Sequence, residues 1–504
     1  MDERRTGAVL GYVQIFIQSI IGIVYVPILL DHIGQAEYGL YQIVASVISY
    51  VAILETMFSA AILRHYSVYL AHHDEERMEN LLFVARRLFR ILSCIIALVS
   101  IPVGICVYLF YSDSLSGAEL LEMIVMYGLL VVNLLISVNN YIYLACITAH
   151  QRYIYLKLIS IATLIAQPAA VIFAINRYPY AAVIVVVQVV LNIAVSLLRF
   201  EYCTDKLHIR IRQHKDVGEG LLKEITLFSL GILLTAAADQ VFWKTDQIIL
   251  GKTNGTAAVA IYAVGAQLFN LYMYLANGIG SVLLPTVIQK VSNDGIHAAD
   301  VFFRKAGRIQ AMLMGLVVTG FAVFGREFIG LWVGEKYHQA YWIALLLMLP
   351  YTIDIIQGAG LAILQAVNKY SFRARCMFII ACVNIPLTVI LIRRMGIVGA
   401  AVSTAIAIVI GPGIIMNWFY GKRIGLDIRQ FWKEILPILL LGIAFYAVGC
   451  LVGRIQLDNA LVSFAVHVVV FSVLYFAAAY FLVMNPFERG QIASLAIKAV
   501  GKRG

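Results

Sequence analysis

LACITAHQRYIYLKLISIATLI, from Leu144 to Ile165, reads as the end of one long apolar run, a short polar corner and the start of another. A corner flanked by apolar runs of about 20 residues is a helical hairpin in a bilayer, because a spanning helix needs roughly that many. From Leu361 to Cys382 the chain repeats the pattern as LAILQAVNKYSFRARCMFIIAC, with Tyr370 in the place of Tyr153, 217 residues on. A second pair stands elsewhere: IGQAEYGLYQIVAS from Ile33 and NGTAAVAIYAVGAQ from Asn254, where Tyr41 matches Tyr262 at an offset of 221. A near-constant offset at two distant places indicates duplication of one unit.

Outward from these hairpins, the apolar runs number fourteen, from Ala8–Leu30 to Leu461–Val483. They include Tyr38–Leu63 (second), Tyr153–Ile175 (fifth), Ile225–Leu250 (seventh), Ala257–Leu284 and Ala306–Phe328 (eighth and ninth), and Gln339–Gln365 (tenth). The loops between them alternate basic and non-basic. Of 38 Lys and Arg, 30 fall on one side, 7 on the other, and Lys244 lies within a span. Lys and Arg resist translocation, so the basic side is cytoplasmic and both termini lie there. The expected compartment is a bacterial cytoplasmic (inner) membrane.

The expected fold class is an all-α integral membrane protein of fourteen transmembrane helices. The duplicated unit holds six spans, an even number, so the two copies share one orientation and form parallel repeats about a membrane-normal axis. Residues 1–200 are the expected N-lobe (spans 1–6) and 225–420 the C-lobe (spans 7–12), around a central cavity. Residues 201–224 form a basic cytoplasmic linker, and 421–504 carry the appended spans 13–14 and a cytoplasmic tail. Repeat-built transporters bind substrate between lobes and rock them in alternation, so the layout favours transport.

Composition excludes other classes. The chain is 62% hydrophobic and 13% charged over 504 residues, against about 25% charged in a soluble domain, which leaves no room for one. The net charge of +10 is the positive-inside excess meeting anionic membrane lipids; no nucleic acid is implied. Arg4 and Arg5 precede an apolar run too long for a cleavable signal. The seven cysteines are scattered and form no CxxC, so neither disulfide nor metal is expected. No phosphate-binding loop is present, no cofactor is implied, and HHDEE (His72–Glu76) reads as a solvated loop.

An ionisable group in hydrocarbon costs about 2.5–3.5 kcal/mol on insertion scales and needs a reason to be there. The candidates are Glu55, Asp239, Lys244, Asp246, Asp354 and His467, with Arg64 at an inner edge. Asp239 and Asp246 are seven apart, two helical turns, with Trp243 between them. The repeat offset maps Asp239 onto Gln18, and Gln14 lies one turn before it. These stripes suit either the lining of the cavity or satisfied interhelical hydrogen bonds. Lys244 suits an anion ligand or the partner of an acid; Asp354 suits coupling to a cation; His467, in an appended span, reads as a packing histidine.

Three stretches carry a resemblance. LETMFSAAILRHYS (Leu54–Ser67) resembles an acid, small residues and an arginine closing the second span. DQIILGKTNGTAAVAIYAVG (Asp246–Gly265) resembles an Asp ending the seventh span before a glycine-flanked tyrosine. GIVGAAVSTAIA (Gly396–Ala407) resembles a small-residue twelfth span. Together they resemble the Wzx-type oligosaccharide and polysaccharide flippases of the multidrug/oligosaccharidyl-lipid/polysaccharide exporter superfamily. Glu55 in place of Asp, and Met57 in place of Gly, depart from that pattern. The resemblance implies an undecaprenyl-diphosphate-linked oligosaccharide moved to the outer leaflet for capsule, O-antigen or a similar polymer. With such a substrate, the candidates divide into Arg64, Lys244, Gln14 and Gln18 at the substrate, and Glu55, Asp239, Asp246 and Asp354 at a coupling ion (H+ or Na+) or the cavity. Partners would be the lipid-linked oligosaccharide and the polymerase or export machinery.

Two other readings remain open at this level. A cation-coupled multidrug exporter shares the fold. A membrane polysaccharide polymerase or ligase would need a large outer loop, and the outer loops here are about ten residues, as at Phe110–Leu120. The topology predicts that membrane-impermeant thiol reagents reach cysteines placed at Ser112–Gly117 and Gly334–His338 in intact cells. Cysteines placed at Lys206–Lys215 should stay unlabelled; labelling there would invert the orientation.

Overall fold

A computed structural model of the chain describes residues 3–213, 221–367, 369–455, 457–486 and 488–490. No strand occurs among them, as expected where the bilayer offers the backbone no water and a helix satisfies its own N–H and C=O groups. In chain order the helices are α1 (Glu3–His32), α2 (Gly34–Val51), α3 (Ile53–Ala71), α4 (Glu75–Tyr111), α5 (Gly117–Ala149), α6 (Tyr153–Ile175), α7 (Ala181–Glu201) and α8 (Leu221–Asn254). They continue with α9 (Thr256–Val333), α10 (Gln339–Ile356), α11 (Gly358–Ala366), α12 (Tyr370–Met395), α13 (Ile397–Ile408), α14 (Met416–Phe419), α15 (Ile428–Val452) and α16 (Ala460–Ala478).

Twelve stretches of the described residues are long and apolar enough to cross a membrane, so the chain is a multi-pass membrane protein. Two further expected spans fall on the α2–α3 pair, which breaks at Ala52, and on α8. The eighth and ninth spans, expected to be separated by a basic loop, belong to one continuous helix, α9, of 78 residues. Pro412, which has no N–H to donate, lies in a π-helical segment, Val409–Ile415, where the hydrogen bonding is loosened by one residue.

The chain divides into two compact units: Met1–Ala263 with Ala381–Ile397, and Val264–Ile380 with Val398–Gly504. In the first, α1 packs along α6, α4 and α7 on α5, and α8 on α2 and α3. Thus α8, expected to open the C-lobe, packs with helices of the N-terminal half. The core of this unit joins α3, α4 and α5 through Ile62, Tyr66, Leu82, Phe89, Val138 and Cys146. Short loops are made by local caps: Asp74 accepts from the Arg77 N–H at 3.1 Å, and Ser116 with Glu119 closes a capping box. The first N–H groups of α7, on Ala181 and Ala182, donate to Glu37 (2.8 Å) and Glu122 (3.0 Å).

Gly34 and Gly255, matched at the offset of 221, have φ of +80° and +81°, a region open to glycine at little cost. Each sits at the corner before the apolar run that follows. The two segments also meet: Gln35 Nε2 donates to the Ala257 carbonyl at 2.9 Å, and a Cβ on Gly39 would overlap the Thr256 carbonyl oxygen.

In the second unit the core is aromatic: Phe303 stacks on Phe431 at 4.6 Å, and Phe471 and Tyr475 pack edge-on against Phe445. The appended helices α15 and α16 belong to it. Arg308, buried on α9, pairs with both Glu488 carboxylate oxygens (2.7 and 3.0 Å) and donates to the carbonyls of Glu434 (2.6 Å) and Val483 (2.9 Å). Arg304 adds bonds to Asp300 (3.0 Å) and Glu434 (2.5 Å). Large apolar side chains such as Leu98, Phe173, Ile443 and Leu482 are exposed, as suits lipid-facing surface.

Gly39→Val should force α2 and α9 apart at their first turns. Overpacking of this kind costs about 1–3 kcal/mol. The expected outcome is a lowered apparent Tm of the detergent-solubilised protein, with Gly117→Ala, where a Cβ meets open space, as the neutral control.

Candidate functional site

The C-terminal part of α8 carries several buried hydrogen bonds to other helices of the first unit. Asp246 is buried and accepts from the Tyr262 hydroxyl (2.6 Å) and the Thr388 hydroxyl (3.2 Å). Gln247, beside it, accepts from Ser46 at 2.5 Å, and Thr245 pairs with Tyr50 at 2.5 Å. The Ile248 carbonyl accepts from Tyr111 at 2.8 Å. Three consecutive side chains therefore face three different partners, since successive helical residues are turned by 100°. Such pairings hold helices together where hydrocarbon offers a polar group nothing else.

Asp239 and Asp246, expected on one face, lie in different surroundings: Asp239 is exposed and Asp246 buried. Trp243, between them, meets Phe242 edge-on. Lys244 is half-buried, with no carboxylate in ion-pair range among the described residues. Arg64 is exposed on α3 and Gln18 half-buried on α1. The side chain of Glu55 lies outside the described residues.

Gln14 has a definite partner: its Oε1 accepts from Lys157 Nζ at 2.9 Å, joining α1 to α6. In the second unit, Asp354 at the end of α10 takes a two-pronged ion pair from Arg373 of α12, both bonds 3.0 Å. The two residues keep 15% and 17% of their side-chain surface exposed. Nearby, Asn417 accepts from Trp432 (3.0 Å) and Gln357 (3.3 Å). His467 packs as a histidine of the interior, stacked on Phe324 and bonded to the Ile455 carbonyl at 2.7 Å.

Lys157, Arg304, Arg308 and Arg373 belong to the cytoplasmic set of cations in sequence, and each has a specific partner in the structure. One signal was available: both repeated hairpins place a cation one turn after the matched tyrosine, Lys157 after Tyr153 and Arg373 after Tyr370. The acceptors on other helices, Gln14 and Asp354, carry no such signal. Tyr262 and Thr388 were invisible as partners of Asp246 because they arrive from α9 and α12. Among the described residues no group of three or more His, Cys, Asp or Glu could hold a metal ion.

A family model described as polysaccharide biosynthesis protein matches residues 5–291. The chain belongs to that family. A membrane protein of Methanocaldococcus jannaschii is 23% identical over 55% of this chain and 54% of its own length. A Haloferax volcanii protein that carries low-salt glycan biosynthesis flippase in its name is 24% identical over 40% and 43%. The chain thus spans about half the length of these two curated relatives. A Shigella flexneri protein that carries O-antigen transporter in its name is 21% identical over 81% of this chain and 95% of its own. Among solved structures, the lipid II flippase MurJ in an inward closed conformation superposes with a TM-score of 0.68 at 12% identity, covering 94% of this chain and 98% of its own. An inward-facing multidrug resistance MATE transporter of the MOP superfamily gives 0.60 at 13% identity, over 83% and 95%. The fold is that of MurJ and the MATE transporters.

Removing one partner of a desolvated ion pair leaves the other charge stranded. Arg373→Met should cost about 3 kcal/mol, read as a lower apparent Tm. Asp354→Leu with Arg373→Met should recover most of that loss, because the stranded charge is gone; additive losses would show that the pair is not coupled.

Proposed function

We propose that this protein is a flippase that carries an undecaprenyl-diphosphate-linked oligosaccharide from the inner to the outer leaflet of a bacterial cytoplasmic membrane, for assembly of capsule, O-antigen or a similar surface polysaccharide. The family match over residues 5–291 carries this reading. The relatives named for O-antigen transport and glycan flipping, and the likeness in fold to MurJ, support it. The same fold in MATE transporters keeps the cation-coupled drug exporter as the second reading.

The energetics agree. A diphosphate carries about two negative charges, and outward movement from a negative interior is downhill by roughly 4–5 kcal/mol per 100 mV. The protein needs only to lower the barrier for a polar head crossing hydrocarbon. It does so by alternating access between an N-lobe and a C-lobe, while the polyprenyl tail stays in lipid. Arg64 receives the head group at the cytoplasmic edge, and Lys244, deeper along α8, draws it outward; Gln14 and Gln18 supply neutral contacts. Asp246, with its two hydroxyl donors, is the carboxylate best placed to respond to a coupling H+ or Na+, with Glu55, Asp239 and Asp354 as further acids. Product passes to the polymerase or export machinery.

Complementation of surface-polymer export in a flippase-null strain tests this. Arg offers phosphate a two-pronged fork that Lys cannot, so Arg64→Lys should lower export by about tenfold and Arg64→Ala by more, at equal protein levels. Asp239→Asn and Asp354→Asn should each cost more than His467→Gln. Full export by Arg64→Ala would leave that residue a membrane-edge anchor alone; drug resistance in place of polymer export would favour the exporter.

A further inference from the structure

The cations of the described helices divide by the partners they keep. Arg373 is neutralised by Asp354, Arg304 by Asp300 and Glu434, and Arg308 by Glu488. Lys157 differs. It is the fifth residue of α6, about 6 Å beyond the helix start at 1.5 Å per residue, and it is only half-buried. Its Nζ donates to an uncharged group, Gln14 Oε1, and no carboxylate among the described residues stands in ion-pair range. Glu3, the acid at the start of α1, is committed elsewhere: it accepts from Arg152 at 3.5 Å and from the Ile154 N–H at 3.4 Å, at the mouth of α6.

The helix pair is shaped around this lysine. A Cβ on Gly7 would collide with Tyr153 Cβ, so α1 and α6 approach closely there. A Cβ on Gly11 would lie 3.8 Å from Lys157 Cε, so the lysine stem runs across the bare backbone of α1 toward Gln14. Gly7, Gly11, Gln14 and Gln18 follow one another at spacings of four, three and four, a single stripe of the helix. An ammonium can only donate, so the glutamine must turn its oxygen to Lys157 and its NH2 away. The ammonium keeps two further N–H donors and the amide two more. The pair is therefore a set of donors carrying one positive charge that no carboxylate among the described residues neutralises.

We propose that Lys157 and Gln14 form an anion site one turn inside the cytoplasmic edge, and that its ligand is the diphosphate of the lipid-linked substrate. The assignment rests on the flippase reading and deepens it. Gln14 acts as a positioning residue that holds the ammonium off the interface, to which a long lysine otherwise snorkels, and its amide adds donors to the phosphate oxygens. In the hairpin around Tyr370, Arg373 cannot serve in this way because Asp354 already fills its fork.

The test is equilibrium binding to purified protein in nanodiscs, with undecaprenyl diphosphate and undecaprenol as the two probes. Wild type should prefer the diphosphate. Lys157→Met, which keeps the stem, should weaken diphosphate binding about tenfold or more, the scale of one charge-assisted contact, and leave undecaprenol binding unchanged. Gln14→Glu, which supplies the missing carboxylate, should do the same, and Lys157→Arg should restore most of the affinity. Unchanged undecaprenol binding also certifies that a variant is folded. Wild-type affinity for the diphosphate in both Lys157→Met and Gln14→Glu would overturn the site while leaving the flippase reading intact. Equal binding of the two probes by wild type would overturn the flippase reading itself.

Discussion

A charge held in hydrocarbon must find a partner, and much of this structure follows from how each charge does so. The alternatives are an opposite charge, a set of neutral dipoles, or water at the membrane edge. Arg308 takes the first course and, through Glu488 and two carbonyls, binds the C-terminal segment to α9. Asp246 takes the second, with two hydroxyl groups from other helices. The basic loops expected at the membrane edge take the third. The first two solutions join different helices, so there neutralising charge and assembling helices are one process.

The two units use polar groups differently. In the first, neutral hydrogen bonds dominate around α8: Ser46 to Gln247, Tyr50 to Thr245, Tyr111 to a backbone carbonyl. Neutral bonds of this kind average about 0.6 kcal/mol each in a membrane, so they position helices without locking them. In the second, ion pairs and stacked aromatics fasten α9, α10, α12 and α15. Paired charges in low dielectric are costly to separate.

Lys157 and Arg373 keep different kinds of partner. Lys157 stands four residues after Tyr153 and Arg373 three after Tyr370. An acid at Asp354 turns the one into a structural pair, and an amide at Gln14 leaves the other with its charge and donors available. The difference lies in the helix opposite, where the partner's side chain decides whether the cation is consumed.

Much of the fold was legible in sequence because its causes are local. Span length follows from bilayer thickness and helicity from backbone satisfaction, whereas the corner and cap roles of Gly34, Gly255, Asp74 and the Ser116–Glu119 box emerge from the structure. The hydrogen-bonded histidine at His467 was legible for the same reason: an ionisable side chain in an apolar run needs partners. The continuity of α9 was not, because a basic segment between apolar runs reads as a loop although its residues can equally continue a helix. The site was legible only as a set of candidates. Sequence marks Asp246, Asp354 and Gln14 as polar groups in the wrong solvent, but Tyr262, Thr388, Arg373 and Lys157 become their partners only when helices distant in the chain pack together. Residue type determined which groups needed neutralising; tertiary packing decided which neighbour supplied it, because a hydrogen bond or ion pair acts only over about 3 Å.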